Sequence, residues 1–281
     1  MNISKYRIFG LFKSTFIHVF LLSVTLTCLF PLFWMVRSAF MSNTTIFVDK
    51  ALIPAQLYFN NFSTAWIKGN FGVYFFNSII YTVCVVAGIV LVASLAAYAF
   101  SRLQFPGKNV IFYLFVAAMM IPLPGSFVLL FVLMNKLHLI NTRFGYILCM
   151  INVGLSMSIL LLKTFFDKMP ADLEDAARID GCSKLGIWWY VALPLARPAI
   201  AVIVIFNSLN VWNEYILATL LLGDTKLMPL QRGLMVFQGA NSVDYPVLMA
   251  GLTMAAAPIV LVYLAMQKHI VKGLSSGAVV G

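Results

Sequence analysis

The sequence has few charged residues, and acidic residues are the scarcest of these. Of its 281 residues, 10% are charged, with 19 lysines and arginines against 9 aspartates and glutamates. Soluble domains carry about 25% charged residues, and a soluble chain of this length could not bury a 62% hydrophobic composition in one core. The composition therefore excludes an ordinary soluble enzyme, a disordered tail and a disulfide scaffold. It predicts a protein whose main solvent is lipid.

Cysteine and histidine are also scarce, with four and three residues, and no CxxC pair occurs. Three of the cysteines lie inside apolar runs, where cysteine behaves as a small hydrophobic residue. We therefore expect no disulfide, no metal site and no cofactor bound by this chain. The net charge of +10 comes from single basic residues between apolar runs, a pattern typical of membrane topology and not of nucleic-acid binding.

Six apolar stretches are long enough to form membrane-spanning helices, and none alternates as a lipid-facing strand does. We therefore predict an all-α polytopic membrane protein with six transmembrane helices in a single membrane domain over 15–281. The predicted spans are 15–36, 75–100, 110–134, 144–162, 199–222 and 247–266.

The basic residues favour one orientation of these spans. With the N-terminus inside, twelve of the nineteen lysines and arginines fall in inner segments, and an excess of positive charge is expected on the cytoplasmic side. We predict that residues 1–14 form a cytoplasmic N-terminus and that the C-terminus is also cytoplasmic.

Most of the acidic residues lie in the predicted inner segment between the fourth and fifth spans. We call residues 167–194 the acidic segment, because five of the nine acids lie between Asp167 and Asp180. Pro170 favours a helix start, Gly181 favours its end, and Ser183 can cap a second short helix. We expect a helix–turn–helix outside the bilayer. These local signals leave open whether it is a solvated loop or a docking site.

The order of residues in the acidic segment resembles the EAA signature of ABC importer membrane subunits. In that signature three residues separate Glu-Ala-Ala from a Gly, and nine further residues separate this Gly from Ile-x-Leu-Pro. Here DAA begins at Asp175, the glycine is Gly181, and VALP begins at Val191. Further stretches are similar to the oligosaccharide-uptake branch and to its six-span, maltose-type subunits. They are LAAYAFSRLQFPGK, MIPLPGSFVLLFVL, EDAARIDG, VWNEY and QKHIVKGLSSGAVVG.

The resemblance implies a type I importer permease fold in the bacterial inner membrane, with a cytoplasmic coupling helix in the acidic segment. It implies a second, homologous permease subunit, two cytoplasmic ATPase subunits and an extracytoplasmic solute-binding protein as partners. The implied cargo is a carbohydrate, in particular an oligosaccharide. ATP and magnesium would bind to the ATPase subunits, since this chain has no GxxxxGK[ST] loop.

The resemblance also implies which residues dock on an ATPase subunit. Glu174 and Asp175 would make charge-assisted contacts, the two alanines would allow close packing, and Gly181 would permit a sharp turn. The complete expected docking set is Glu174, Asp175, Ala176, Ala177, Arg178, Asp180, Gly181, Leu193 and Pro194.

The predicted fifth span carries a polar stripe. Asn207, Asn210 and Glu214 recur at helical spacing and therefore lie on one face of a helix. Such groups either line a wet pathway or hold the bundle together through interhelical hydrogen bonds, and the sequence leaves both open. The candidate pathway residues are Asn207, Asn210, Asn213, Glu214, Trp212 and Tyr215.

Pro122, Pro124 and Gly125 interrupt the predicted third span. They form either a hinge beside a midspan cavity or a kink that serves packing alone.

Two other function classes are weighed against an importer subunit. A stand-alone secondary transporter predicts inverted repeats and several charged residues inside the spans. A membrane-embedded lipid-modifying enzyme predicts a cluster of catalytic side chains near one membrane face. We see no clear repeat, one acid (Glu214) inside a predicted span, and an acid cluster without histidine. We therefore expect a non-catalytic transporter subunit.

Overall fold

The computed structural model describes residues 3–120, 123–237 and 243–278, and the side chains of 14–120, 125–235, 237, 243–262 and 264. These residues form helices and connecting segments, and the described part of the chain contains no β-strand. The all-α prediction is confirmed.

The helices follow one another in chain order, with a π-helical turn at Trp188–Ala192 and 3₁₀ turns at Thr225–Leu227 and Leu234–Phe237. They are α1 (Ile3–Ala39), α2 (Asn60–Lys68), α3 (Phe71–Arg102), α4 (Lys108–Ala118), α5 (Leu123–Lys136), α6 (Arg143–Asp167), α7 (Asp172–Ile179), α8 (Lys184–Ile187), α9 (Leu193–Leu195), α10 (Arg197–Asn213), α11 (Ile216–Leu221), α12 (Leu230–Gly233) and α13 (Tyr245–Ala278).

Four helical stretches are long and apolar enough to cross a membrane: Ser14–Ala39 in α1, all of α3, all of α6, and Tyr245–Val262 in α13. A fifth candidate joins Lys184–Leu195 to Arg197–Asn213 through a bend of 77°. The predicted third span is divided between the shorter helices α4 and α5. The described residues thus show four spans, or five with the bent pair. The six-span count is compatible with them and stays a prediction.

The chain divides into two compact units. The first contains Met1–Gly69 and Val236–Ala256, and its described core packs Ala39, Ala65, Val247 and Ala250 together. Arg37, at the end of α1, is buried, and its guanidinium donates hydrogen bonds to the carbonyls of Ala51 (2.7 Å) and Asp49 (3.0 Å). This arginine therefore fixes the segment that follows α1.

Helix α1 begins at Ile3, well before the predicted span start at residue 15. No proline lies between Ile3 and the predicted span start at residue 15, so no residue of this type interrupts the helix there. No residue in its most apolar window is buried. The hydroxyls of Ser23, Thr25 and Thr27 donate to carbonyls four residues earlier, so these polar groups are satisfied within the helix, as a lipid environment requires.

The second unit contains Asn70–Met235 and Ala257–Gly281, and α3 and α6 form its centre. Tyr81 packs on Tyr146 with ring centroids 4.7 Å apart. Seventeen residues further along α3, Tyr98 packs edge-on against Phe166 with centroids 5.9 Å apart. Because the partners advance in the same direction along both helices, α3 and α6 run parallel.

This parallel pairing constrains the connection between the two helices. If α3 and α6 both span the membrane in the same direction, residues 103–142 must return the chain to the starting side, and α4 and α5 are the helices available.

Helix α10 runs antiparallel to α6, since Asn207 contacts Ser158 whereas Glu214 contacts Tyr146. The acidic segment therefore lies at the Arg102 end of α3, and α11 lies at the opposite, Asn77 end.

Polar side chains hold a loop at the Asn77 end of α3. The Asn77 amide donates to the carbonyls of Lys226 (2.8 Å) and Met228 (3.0 Å), and the Tyr81 hydroxyl donates to the Leu227 carbonyl (2.6 Å). Arg143 donates to the Asn77 side-chain oxygen at 2.8 Å. Polar side chains of the mostly apolar helices α3 and α6 thus hold the loop after α11 in place.

Candidate functional site

The acidic segment contains α7 and α8, joined by a tight glycine turn. The end of α7 is a Schellman motif, in which Cys182 N–H donates to the Ala177 carbonyl (2.9 Å) and Gly181 N–H donates to the Arg178 carbonyl (3.0 Å). Gly181 has φ +82, a conformation that favours glycine. The Ser183 hydroxyl then accepts from Gly186 N–H at 3.1 Å and caps α8.

Helix α7 has a buried face and an exposed face. Glu174 and Ala177, three residues apart, are buried with 4% and 8% of their surfaces exposed, and this spacing places them on one side of the helix. The remaining members of the expected docking set in and after α7 are exposed: Asp175, Ala176, Arg178, Asp180 and Gly181. Further along, Leu193 is half-buried and Pro194 is exposed.

The placement of Glu174 differs from the expectation that it contacts a partner. Its Oε1 lies 3.0 Å from Nε of Arg102, the last residue of α3. Asp175, one position later, points outward and pairs with Arg178 at 2.8 Å within α7. Two adjacent acids therefore have different surroundings: one links α7 to α3, and the other is available on the surface.

The exposed side of the acidic segment also carries large apolar side chains that the sequence analysis did not select. Ile179 is 87% exposed and Leu185 is 68% exposed, and Leu173, Trp189 and Tyr190 are exposed as well. For Leu173 and Ile179 the sequence did offer a signal, because apolar residues on the short acidic helix α7 have no core of their own to enter. These side chains add an apolar component to the exposed surface of the acidic segment.

The polar stripe of the predicted fifth span separates into internal and exposed members. Asn207 is buried, and its amide donates to the Ser158 hydroxyl (3.2 Å) and the Ile203 carbonyl (2.9 Å). A Cβ on Gly154 would lie 2.3 Å from Asn207 Oδ1, so a glycine is needed for α6 to approach α10 here. Trp212 is buried and packs edge-on against Phe75 with centroids 5.7 Å apart.

Three other members of the candidate pathway set face outward from this chain. Asn210, Asn213 and Tyr215 are exposed, and Tyr215 is 44% exposed. The Asn213 amide donates to the Leu209 carbonyl at 2.9 Å. The structure therefore brings Asn210, Asn213 and Tyr215 to the outside of the bundle and places Asn207 and Trp212 inside it.

Glu214 lies at a break in the predicted fifth span. Helix α10 ends at Asn213 and α11 begins at Ile216, so the predicted span 199–222 consists of two helices. The Glu214 carboxylate accepts from Leu217 N–H (2.5 Å), Ala218 N–H (3.1 Å) and the Tyr146 hydroxyl (3.0 Å). The carboxylate satisfies the first amides of α11, groups that a helix start leaves without partners. Glu214 therefore stabilises the break itself.

The proposed hinge in the third span falls largely outside what can be described. Pro122 lies outside the described residues, as does the side chain of Pro124. Gly125 is exposed in α5, and a Cβ there would meet nothing within 4 Å. The cavity hinge and the packing kink both stay predictions.

The four cysteines are free thiols. Among the described residues, no group of three or more histidine, cysteine, aspartate or glutamate side chains could hold a metal ion.

The geometry, a helical bundle with a short acidic helix at one end, agrees with the comparison to known families. The family model for the binding-protein-dependent transport system inner membrane component matches residues 89–276. The chain belongs to this family. Its residues 89–276 include α6, the acidic segment and the broken fifth span, so the match covers the whole candidate site.

Known relatives of this permease subunit extend the match over nearly the whole chain. A probable ABC transporter permease protein of Bacillus subtilis (strain 168) is 35% identical over 268 residues, covering 95% of this chain and 89% of the relative. A diacetylchitobiose uptake system permease protein of Streptomyces coelicolor is 32% identical, covering 92% and 87%. A chain in the crystal structure of a bacterial ABC transporter that imports the acidic polysaccharide alginate superimposes with a TM-score of 0.77 and 27% identity, covering 93% of this chain and 96% of that chain.

The permease subunit is thus a multi-pass membrane component of an ABC importer, which works with ATPase and binding-protein partners. It is a non-catalytic transporter subunit, as predicted. The family match decides against the stand-alone secondary transporter and the lipid-modifying enzyme.

Glu214 offers a direct test of the broken fifth span. We expect Glu214→Ala to lower the free energy of unfolding of the purified permease by about 1 kcal/mol, because the first amides of α11 lose their acceptor. Glu214→Gln keeps one carbonyl oxygen and should lose less. Thermal unfolding in detergent measures both, with Tyr146→Phe as the matched control that removes one of the three hydrogen bonds. Unchanged stability of Glu214→Ala would contradict the capping role.

Proposed function

We propose that this permease subunit carries a carbohydrate, in particular an oligosaccharide, delivered by an extracytoplasmic binding protein. The Streptomyces relative is named for diacetylchitobiose uptake, and the superimposed transporter imports alginate. Both are sugar polymers or oligomers, and the sequence similarity covers most of this chain. The observation that carries the proposal is this match along the chain, since it includes the spans that would enclose the cargo.

The exposed polar residues of α10 support a pathway for such a cargo. Asn210 and Asn213 are exposed on α10, a helix of mostly apolar residues. Amide side chains are costly in lipid and usually face a wet cavity or the interior of an assembly. Amides donate and accept hydrogen bonds as sugar hydroxyls do, and the nearby Tyr215 offers an aromatic ring for stacking. In the assembled importer these three residues would face the pathway or the second subunit.

We propose that this chain forms half of that pathway and pairs with a second, homologous permease subunit. Two cytoplasmic ATPase subunits bind ATP and magnesium, since this chain lacks the phosphate-binding loop. The acidic segment and both termini lie on the cytoplasmic side, in agreement with the distribution of basic residues. When the ATPase subunits close on ATP, the acidic segment moves with them and the spans change between inward-facing and outward-facing states.

The exposed face of the acidic segment is the surface that we assign to ATPase docking. It combines the charged Asp175 and the small Ala176, which leaves room for close approach, with the apolar side chains of Ile179 and Leu185. A mixed apolar and charged patch outside the spans suits a partner that must bind firmly and move with this helix. Glu174 and Ala177 act from the buried face, by positioning α7.

Purification tests the assembly. We expect the tagged permease, expressed with its neighbouring genes, to bring with it a second permease and ATPase chains. The complex should then take up the oligosaccharide that binds best to the encoded binding protein in a panel of neutral and acidic oligosaccharides, and only when ATP is present. Purification of the chain alone, with uptake independent of ATP, would contradict the importer assignment.

Gly181 tests the docking surface, with Gly107 as its matched control. Both glycines have positive φ (+82 and +78), and a Cβ on either meets nothing within 4 Å of this chain. Both substitutions strain a backbone with positive φ, but the Gly181→Asp side chain would in addition clash with a docked partner. Gly181→Asp should therefore abolish transport, whereas Gly107→Asp should retain it. Both variants should insert and accumulate normally. Uptake assays on verified membranes decide the matter, and near-normal uptake with Gly181→Asp would exclude docking at this turn.

The asparagines of α10 test the pathway. Asn210→Ala should raise the half-saturating sugar concentration severalfold, the equivalent of about 1 kcal/mol for one lost hydrogen bond, in a complex that assembles normally. Asn207→Ala should instead lower the yield and thermal stability of the complex, because Asn207 is buried against Ser158. Concentration-dependent uptake and thermal unfolding separate the two effects. An unchanged half-saturating concentration in Asn210→Ala would place the pathway elsewhere.

A further inference from the structure

The residue that ends α3 holds three parts of the chain together. Arg102 belongs to α3, and its guanidinium donates hydrogen bonds to the carbonyls of Phe166 (2.5 Å), in α6, and of Met169, just after α6. Its Nε lies 3.0 Å from the Glu174 carboxylate in α7. One side chain therefore contacts both central helices and the acidic segment.

The contact is shielded from water. The side chains of Arg102 and Glu174 are 16% and 5% exposed. Arg178 approaches the other carboxylate oxygen of Glu174 at 3.6 Å, from a side chain that is 57% exposed. A buried ion pair is worth little compared with an apolar pair of the same shape, but removal of one member leaves an uncompensated charge and is strongly destabilising. Such a pair favours one arrangement of the two helices over others.

The way the chain is connected explains why this contact matters for movement. Residues 168–171 join α6 directly to α7, so any displacement of α7 reaches α6 through the backbone. Helix α3 ends at Arg102, seventy positions before α7 begins, and has no such covalent link. The charged contact between α3 and α7 is the Arg102–Glu174 pair. Ser101, next to Arg102, donates to Asp167 at 2.7 Å and adds a polar contact to the end of α6.

We propose that the Arg102–Glu174 ion pair is the joint that makes α3 move together with α7 when the ATPase subunits close. This inference rests on the proposed docking of the acidic segment and adds how the movement enters the membrane bundle. Arg102 and Glu174 are positioning residues in this account, and neither contacts the cargo. The pair stays closed through the cycle, so that α3, α6 and α7 are displaced as one body.

The experiment measures whether α3 and α7 keep a constant separation. Spin labels are placed at two exposed positions outside the docking set, Gln104→Cys beside α3 and Asp172→Cys at the start of α7, in a complex whose four native cysteines are replaced. Double electron–electron resonance is recorded on the assembled transporter, without nucleotide and after trapping with ATP, magnesium and vanadate. With the pair intact, the two distance distributions should coincide.

Glu174→Gln should break the joint. The trapped state should then show a shifted or broadened distance distribution, while vanadate still inhibits ATP hydrolysis as in the parent complex. The double variant Arg102→Gln/Glu174→Gln leaves no unpaired charge but still lacks the ion pair, so it should show the same shifted or broadened distribution. Glu174→Asp keeps the charge and the pair, so its two distance distributions should coincide as in the parent complex. Coincident distributions in the double variant would show that an uncompensated charge, and not loss of the joint, causes the effect of Glu174→Gln.

Lys163→Gln is the matched control, because the Lys163–Asp167 pair (2.7 Å) lies within α6 and does not join α3 to α7. It should leave both distance distributions coincident. The joint is excluded if Glu174→Gln keeps coincident distributions, or if the parent complex itself shows different separations in the two states. Vanadate trapping and co-purification of the parent complex are scored separately and test the importer assignment independently of the pair.

Discussion

Helix α3 is held at both of its ends by polar side chains whose partners come from other helices of the same unit. At one end Asn77 and Tyr81 bind the backbone of residues 226–228, and at the other Arg102 binds the end of α6 and the start of α7. Lipid offers no hydrogen-bond partners to such groups, so within a membrane protein they must be satisfied internally. These two sets of contacts fix the loop after α11 at one end of α3 and the acidic segment at the other.

The same requirement distinguishes the polar residues that build the bundle from those available for function. Asn207 and Glu214 have hydrogen-bond partners inside the chain, and both hold α10 and α11 against α6. Asn210 and Asn213 are amides at neighbouring positions, yet both are exposed, and the Asn213 amide donates within its own helix, to the Leu209 carbonyl. A polar stripe in a span is thus not one functional unit. Its buried members set the geometry in which its exposed members can meet a cargo.

The acidic segment shows a comparable division within a single helix. The exposed face of α7 carries Asp175, Ala176 and Ile179 and is the face that we propose for docking, whereas the buried face, with Glu174 and Ala177, attaches the helix to its own bundle. A helix that transmits movement needs both faces, since a docking surface without firm attachment would move alone. The Gly181 turn and the Ser183 cap determine where α8 begins after α7, and therefore where the exposed side chains of α8 lie.

The sequence by itself determined the features that depend on neighbouring residues and on composition: the lipid environment, the apolar stretches, the helix stop at Gly181 and the cap at Ser183. The family signature in the acidic segment was also readable, because its spacing lies within one stretch of chain. Only the tertiary structure decided that Glu174 turns inward while Asp175 faces outward, that Asn207 is buried while Asn210 is exposed, and that the predicted fifth span breaks at Glu214. Each of these outcomes depends on a partner far away in sequence, such as Arg102, Ser158 or Tyr146. Helical spacing places residues on one face, but burial and pairing are set by which distant helix packs against that face.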